Sequence, residues 1–137
     1  MTVRGPGTAL ARSSGAVEGG VGVVLRLEGL ALFLGATVMF GLMHGRWSRY
    51  GLLFLAPDLS LVVYLAGPRA GAVAYNTLHS TIGPLLLGLG GYADGITWAG
   101  PIALIWLAHI GFDRAAGFGL KYTGAFGDTH LGLSRRR

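Results

Sequence analysis

Four apolar segments, each about 17–20 residues long, follow one another from about Leu27 to Phe112 with very little chain between them. They run from about Leu27 to Met43, Tyr50 to Ala66, Ala70 to Leu89, and Ile96 to Phe112, the last continuing toward Gly119. This length is the short end of what a helix needs to cross a hydrocarbon core of about 30 Å. One such segment also fits the interior of a soluble protein. Four in succession, with a mean hydropathy of +0.56, predict an integral membrane protein. Charged residues make up 12% of the chain, against roughly 25% in an average soluble domain. Backbone groups in lipid must bond within their own segment, so the spans are expected to be helices. The connections HGRWSR, GPR and GYADG are short enough to force antiparallel neighbours. The expected fold is therefore all-α: a membrane bundle of four transmembrane helices with short loops.

The 25 glycines are dispersed through the spans, where small residues let helix backbones approach. Residues 1–24 are read as a flexible, basic and Gly-rich arm, 25–132 as the membrane domain, and 133–137 as a basic C-terminus. Pro57 and Pro84 each remove a helical hydrogen bond and are expected to kink the second and third spans. The absence of cysteine excludes disulfides, thiolate catalysis and Cys-based metal sites.

The net charge of +5 does not indicate nucleic acid, because the basic residues are scattered or bunched at the ends rather than interleaved with aromatics. Nine of the eleven Lys and Arg residues fall on the side shared by the two termini and the second loop; only Arg46 and Arg49 fall opposite. The positive-inside rule then places both termini in the cytoplasm of a multi-pass protein of the inner (plasma) membrane. The partners this implies are the bilayer itself and anionic lipid at the basic termini, with no nucleic acid.

Several polar residues interrupt or end the apolar runs: Glu28, Asp58, Asn76, His79, His109 and Asp113. An ionisable group in hydrocarbon costs at least about 2.5–3.5 kcal/mol, so such residues usually have partners and a task. His109 and Asp113 are i, i+4 and share a helix face; Asn76 and His79 are i, i+3. Tyr75, four residues before His79, is placed to donate to it. Imidazole nitrogen and carboxylate oxygen together suit Zn, Fe or Mn. His79, His109 and Asp113 are therefore candidate metal ligands, with Asp58 or His130 as a base acting on a metal-activated water. Glu28, Asn76 and Asp128 complete the polar set, and Glu28 also suits a plain helix N-terminal charge. The aromatic, Gly-rich tail holding Asp128, Thr129 and His130 is long enough to fold back over the cytoplasmic mouth.

The stretches LRLEG at 25–29, APDLS at 56–60, YNTLH at 75–79, HIGFDRAAGFGLKY at 109–122 and GDTHLG at 127–132 resemble a family of small bacterial membrane proteins catalogued as domain of unknown function 4260. The resemblance covers about residues 25–132 and implies a multi-pass membrane domain; it supplies no activity, substrate or cofactor. On the residues alone, the leading expectation is a metal-dependent, hydrolase-like membrane enzyme. The alternatives are a proton- or ion-coupled carrier, which with so few spans requires a homodimer, a small-molecule binder, haem held between His79 and His109, and a structural or accessory role in which the polar groups only join helices.

Overall fold

The computed structural model describes residue 17 and residues 19–123 and 128–133, with 128, 132 and 133 described at the backbone only. The described residues form five α-helices: α1 (Gly20–Leu42), α2 (Trp47–Phe54), α3 (Pro68–His79), α4 (Ile82–Ala93) and α5 (Ala99–Ala116). A 3-10 helix over Ala56–Ala66 lies between α2 and α3. A small antiparallel hairpin, β1 (Asp128–Thr129) and β2 (Gly132–Leu133), closes the described chain.

Two helical stretches, Gly20–Leu42 and Trp47–Ala66, are long and apolar enough to cross a membrane. The interruptions expected at Pro57 and Pro84 are present, as a change of helix type in the second run and a break in the third, and the helix of the fourth run is less apolar than Gly20–Leu42 or Trp47–Ala66. The second apolar run is α-helical only to Phe54 and continues as a 3-10 helix from Ala56. Pro57 explains the change, because its ring clashes with the carbonyl four residues back and its presence disfavours α geometry at Ala56. The third run is two helices, α3 and α4, parted at Ser80, whose ψ of 140° is extended. Ser80 is the residue four before Pro84, so the break falls where that ring would strike the helix, and Pro84 itself sits harmlessly in the first turn of α4. The hydroxyl of Ser80 accepts from the Ile82 amide at 3.2 Å and meets one of the new helix's unpaired donors. The fourth run, α5, has 18 residues, but His109, Asp113 and Arg114 dilute its apolar character. At the other end, α1 begins at Gly20, so residues 20–24 are helix rather than arm; residues 1–16 and 134–137 lie outside the described residues.

The helices are greasy outside and small or polar inside. Only 17% of the most apolar window of α1 is buried, and Leu52, Leu59, Leu65, Leu86 and Tyr92 are all more than two thirds exposed. The buried positions include Ala36, Ala72, Ala99, Ala103 and Ala108, together with Ser60, His79 and His109. An exterior this apolar suits a surface covered by hydrocarbon or by a partner. Helix α5 is central: α1, α2 and α4 all pack on it, and α3 packs on the 3-10 helix. The connection between that helix and α3 is Gly67 alone, at φ 116°, followed by Pro68 at the first helical position. Only glycine takes that backbone angle freely.

Helices α1 and α5 touch backbone to backbone. A Cβ on Gly111 would lie 2.5 Å from the Phe33 nitrogen and 2.7 Å from the Gly29 carbonyl oxygen. A Cβ on Gly29 would meet the Ala115 nitrogen at 2.7 Å. An aromatic seam fills the space alongside, with Phe33, Phe54 and Phe112 edge to face and Tyr50 stacked on Phe54. Gly111→Ala is therefore expected to lower the thermal midpoint in detergent, at a cost of about 1–3 kcal/mol for overpacking. Gly90→Ala, where a methyl meets nothing within 4 Å, is expected to be neutral or stabilising. Equal midpoints for the two variants would contradict the close crossing.

Candidate metal centre

Four side chains from three elements converge on one point. The 3-10 helix supplies Asp58, the last residue of α3 is His79, and α5 supplies His109 and Asp113 one turn apart. One donor atom from each lies within 4.8 Å of the other three. His79 Nε2 is 3.1 Å from His109 Nε2, 3.4 Å from Asp58 Oδ1 and 3.4 Å from Asp113 Oδ2. His109 Nε2 is 3.5 Å from Asp58 Oδ1 and 3.6 Å from Asp113 Oδ2. Both imidazoles are buried, the Asp113 side chain is 15% exposed, and that of Asp58 is 39% exposed.

The protonation logic of this cluster is unusual. His79 Nδ1 lies 2.9 Å from the Tyr75 carbonyl oxygen, which can only accept, so Nδ1 carries the hydrogen. The Nε2 of neutral His79 then presents a lone pair to the cluster. Two carboxylates present lone pairs to the same place, and His109 Nε2 faces them. At most one of these contacts is satisfied by a hydrogen on His109 Nε2. His109 Nδ1 is buried with no hydrogen-bond partner among the described residues. An array of acceptors around one point is relieved by a proton shared within it or by a cation at its centre.

The surroundings fix the ligand orientations. The Tyr75 ring stacks on His79 with centroids 3.7 Å apart, and its hydroxyl points to Asp113 Oδ2 at 3.4 Å. The donation from the Tyr75 hydroxyl to His79 expected from their spacing is thus replaced by stacking plus a contact to the carboxylate. A turn-to-turn separation places the ring, not the hydroxyl, over the imidazole. Phe54 stands edge-on to His109.

Among the remaining candidates, Asn76 turns away from the cluster and clamps the tail. Its Nδ2 donates to the Lys121 carbonyl at 2.8 Å and its Oδ1 accepts from the Lys121 amide at 2.7 Å. His130 is in the tail, where its Nδ1 accepts from the Leu120 amide at 2.9 Å and its amide donates to the Leu120 carbonyl at 3.1 Å. Glu28 is exposed on α1 and lines a separate cavity of about 180 Å³ with Arg114 and His130. The side chain of Asp128 lies outside the described residues. The chain segment that covers the polar side of the cluster is Phe118–Leu120, with the hairpin behind it bridged from Thr129 to Lys121. Sequence reasoning missed Lys121, whose ammonium lies 4.7 Å from the Tyr75 ring centre. It also missed Trp106, whose indole donates to the Leu78 carbonyl at 2.6 Å. The aromatic setting of Lys121 in GLKY was the one available signal.

Burial lowers the pKa of His130 from its ordinary 6.5, and Arg114 adds to the effect. The protonated ring could not accept at Nδ1. A group held neutral in this way penalises the docked tail once the unfolded form starts to bind a proton, so docking weakens as pH falls below about 6.5 and through the lower folded value. Protection against hydrogen exchange at residues 118–123 and 129–131, corrected for the intrinsic pH dependence of amide exchange, is expected to fall on acidification in the native chain, and to lose that dependence in His130→Gln. A pH-independent tail in the native chain would contradict the assignment.

No curated protein and no solved structure matches the chain. A family model does, over residues 22–133, and its description is a domain of unknown function. With the match spanning nearly all of the helices, the cluster and the tail hairpin, the chain belongs to the DUF4260 family.

Proposed function

We propose that this chain is a multi-pass membrane protein, crossing four times with both termini in the cytoplasm, whose Asp58, His79, His109 and Asp113 hold one divalent metal for hydrolysis of an amphiphilic substrate. The observation that carries the proposal is the spacing of the donors. A tetrahedral ion with bonds of about 2.0–2.2 Å separates its ligand atoms by about 3.3–3.6 Å. Five of the six separations here fall between 3.1 and 3.6 Å. The Tyr75 carbonyl on His79 Nδ1 is the kind of outer partner that metal-bound histidines use. Two imidazoles and two carboxylates suit Zn, Fe or Mn. The same closeness argues against haem, since nitrogens 3.1 Å apart, with carboxylates beside them, leave no slot for a macrocycle.

In this reading His79, His109 and Asp113 are the constant ligands. Asp58, the most exposed of the four, alternates between ligand and base. An ion held there would supply an acidified water. Asp58 would serve as the base that takes a proton as the water oxygen bonds to the carbonyl or phosphoryl centre, and would return that proton to the leaving oxygen as its bond breaks. The four crossings are supported by the apolar exterior and by the nine-to-two distribution of Lys and Arg.

Elemental analysis of the purified full chain is expected to find about one metal ion per molecule, as a single four-donor site requires. His109→Ala and Asp113→Asn should each remove most of it, and the double variant should be little worse than either, because ligands of one ion act as a unit. Asp58→Asn should keep more metal than either while losing turnover. Full metal content in both single variants would end the proposal. A C-terminal reporter should be active only in its cytoplasmic form; activity of an exported reporter would overturn the topology.

A further inference from the structure

Beside the crossing of α1 and α5, and apart from the donor cluster, lies the cavity of about 180 Å³ that holds Glu28, Arg114 and His130. Its wall on α1 is Leu25, Glu28, Gly29 and Leu32, positions i, i+3, i+4 and i+7 and therefore one face of the helix. Gly29 brings the facing wall close, since a Cβ there would lie 2.7 Å from the Arg114 Cβ. Arg114 thus leaves α5 next to this face, two residues before the helix ends at Ala116. The tail supplies the third side with His130. Its Nδ1 accepts from the Leu120 amide, so the hydrogen of the neutral ring is on Nε2.

Among the described residues, no hydrogen bond or ion pair joins the Glu28 carboxylate, the Arg114 guanidinium or His130 Nε2 to another protein group. Opposite charges that line one cavity without pairing leave room between them for a ligand that carries both. Their charges cancel, so the complement is a zwitterion: an anion for the guanidinium and the Nε2–H, and a cation for the carboxylate. No Phe, Tyr or Trp is among the lining residues, so the cavity lacks the aromatic faces that hold a quaternary ammonium. A carboxylate instead favours a primary ammonium, which has N–H groups to donate. Leu25 and Leu32 frame Glu28, and Leu27 and Leu30 beside it are 58% and 41% exposed. A polar recess set in an apolar helix surface fits a molecule with a small charged end and hydrocarbon chains.

We infer that this cavity holds the headgroup of a phospholipid bearing a primary ammonium, an ethanolamine phosphodiester, with its phosphate on Arg114 and His130, its ammonium on Glu28 and its acyl chains along the outside of α1. The inference rests on the membrane crossing proposed above, which puts the end of α5 and the tail at headgroup level; it does not rest on the metal.

The test uses the full chain purified in detergent, and compares by native mass spectrometry its retention of phosphatidylethanolamine and phosphatidylcholine with identical acyl chains. The ethanolamine lipid is expected to be retained roughly tenfold more, the preference that one charge-assisted hydrogen bond confers. Glu28→Gln, a change at an exposed side chain, should bring the ratio to about one. Arg114→Gln should weaken retention of both lipids, because both carry the phosphate. Equal retention by the native chain, or a preference that survives Glu28→Gln, would overturn the inference, while a cytoplasmic C-terminal reporter would leave the crossing intact. A preference carried by Glu28 in a chain with an exported C-terminus would support the site and overturn the topology. Free O-phosphoethanolamine probes the soluble source. If it raises the thermal midpoint through Glu28 while the two lipids are retained equally, the lipid is overturned and a soluble zwitterion takes its place.

Discussion

Four groups with lone pairs aimed at one point repel one another unless a proton or a cation lies between them. The two imidazoles are shut away from solvent, and of the four side chains Asp58 keeps the largest exposed face, at 39%. The architecture around the cluster serves this constraint. Helix α5 holds two donors at helical spacing, α3 ends on the third, and the 3-10 helix brings the fourth from the side. The close crossing of Gly29 and Gly111 seats α5 against α1 beside the donor pair, so that His109 is shut in by backbone and aromatic rings. The Tyr75 ring and carbonyl then hold His79 from two directions.

Much of this was legible in the chain. The apolar runs with polar interruptions point to helices that bury their ionisable groups, and the i, i+4 spacing of His109 and Asp113 puts their atoms on one face, 3.6 Å apart at the contact. Asp58 was visible as a costly residue, but not as the fourth donor, because that depends on the path of a 3-10 helix, which hydropathy cannot register. Lys121 was counted only as a charge that orients the protein. Its nearness to the cluster comes from the Asn76 clamp, a contact between residues 45 apart in sequence.

The helix breaks were legible in kind and not in place. Pro84 signals an interruption in the third run, yet the break appears at Ser80, since the clash of a proline ring is with the carbonyl one turn earlier. This displacement puts His79 at the very end of α3, where the chain turns away and the imidazole can face α5. A helix running straight through would have carried the position on in the direction of α4. The hydropathy of α5 is lowered by the residues that give the cluster its chemistry, so the central helix of the protein is also the one whose apolar signal is weakest among the long ones.

The 3-10 helix has a further consequence, for hydrophobic thickness. A residue advances about 2.0 Å in a 3-10 helix and about 1.5 Å in an α-helix. The 20-residue stretch Trp47–Ala66 would cover about 30 Å as pure α-helix; with its 11 residues of 3-10 geometry it covers about 36 Å. A run that by residue count only just matches the hydrocarbon layer thus has a few ångströms to spare, which it can take up as tilt. The extra reach is made of the weaker hydrogen bonds of the tighter helix. In a chain that crosses the bilayer as proposed, the stretch bearing Asp58 would have room to adjust to its thickness.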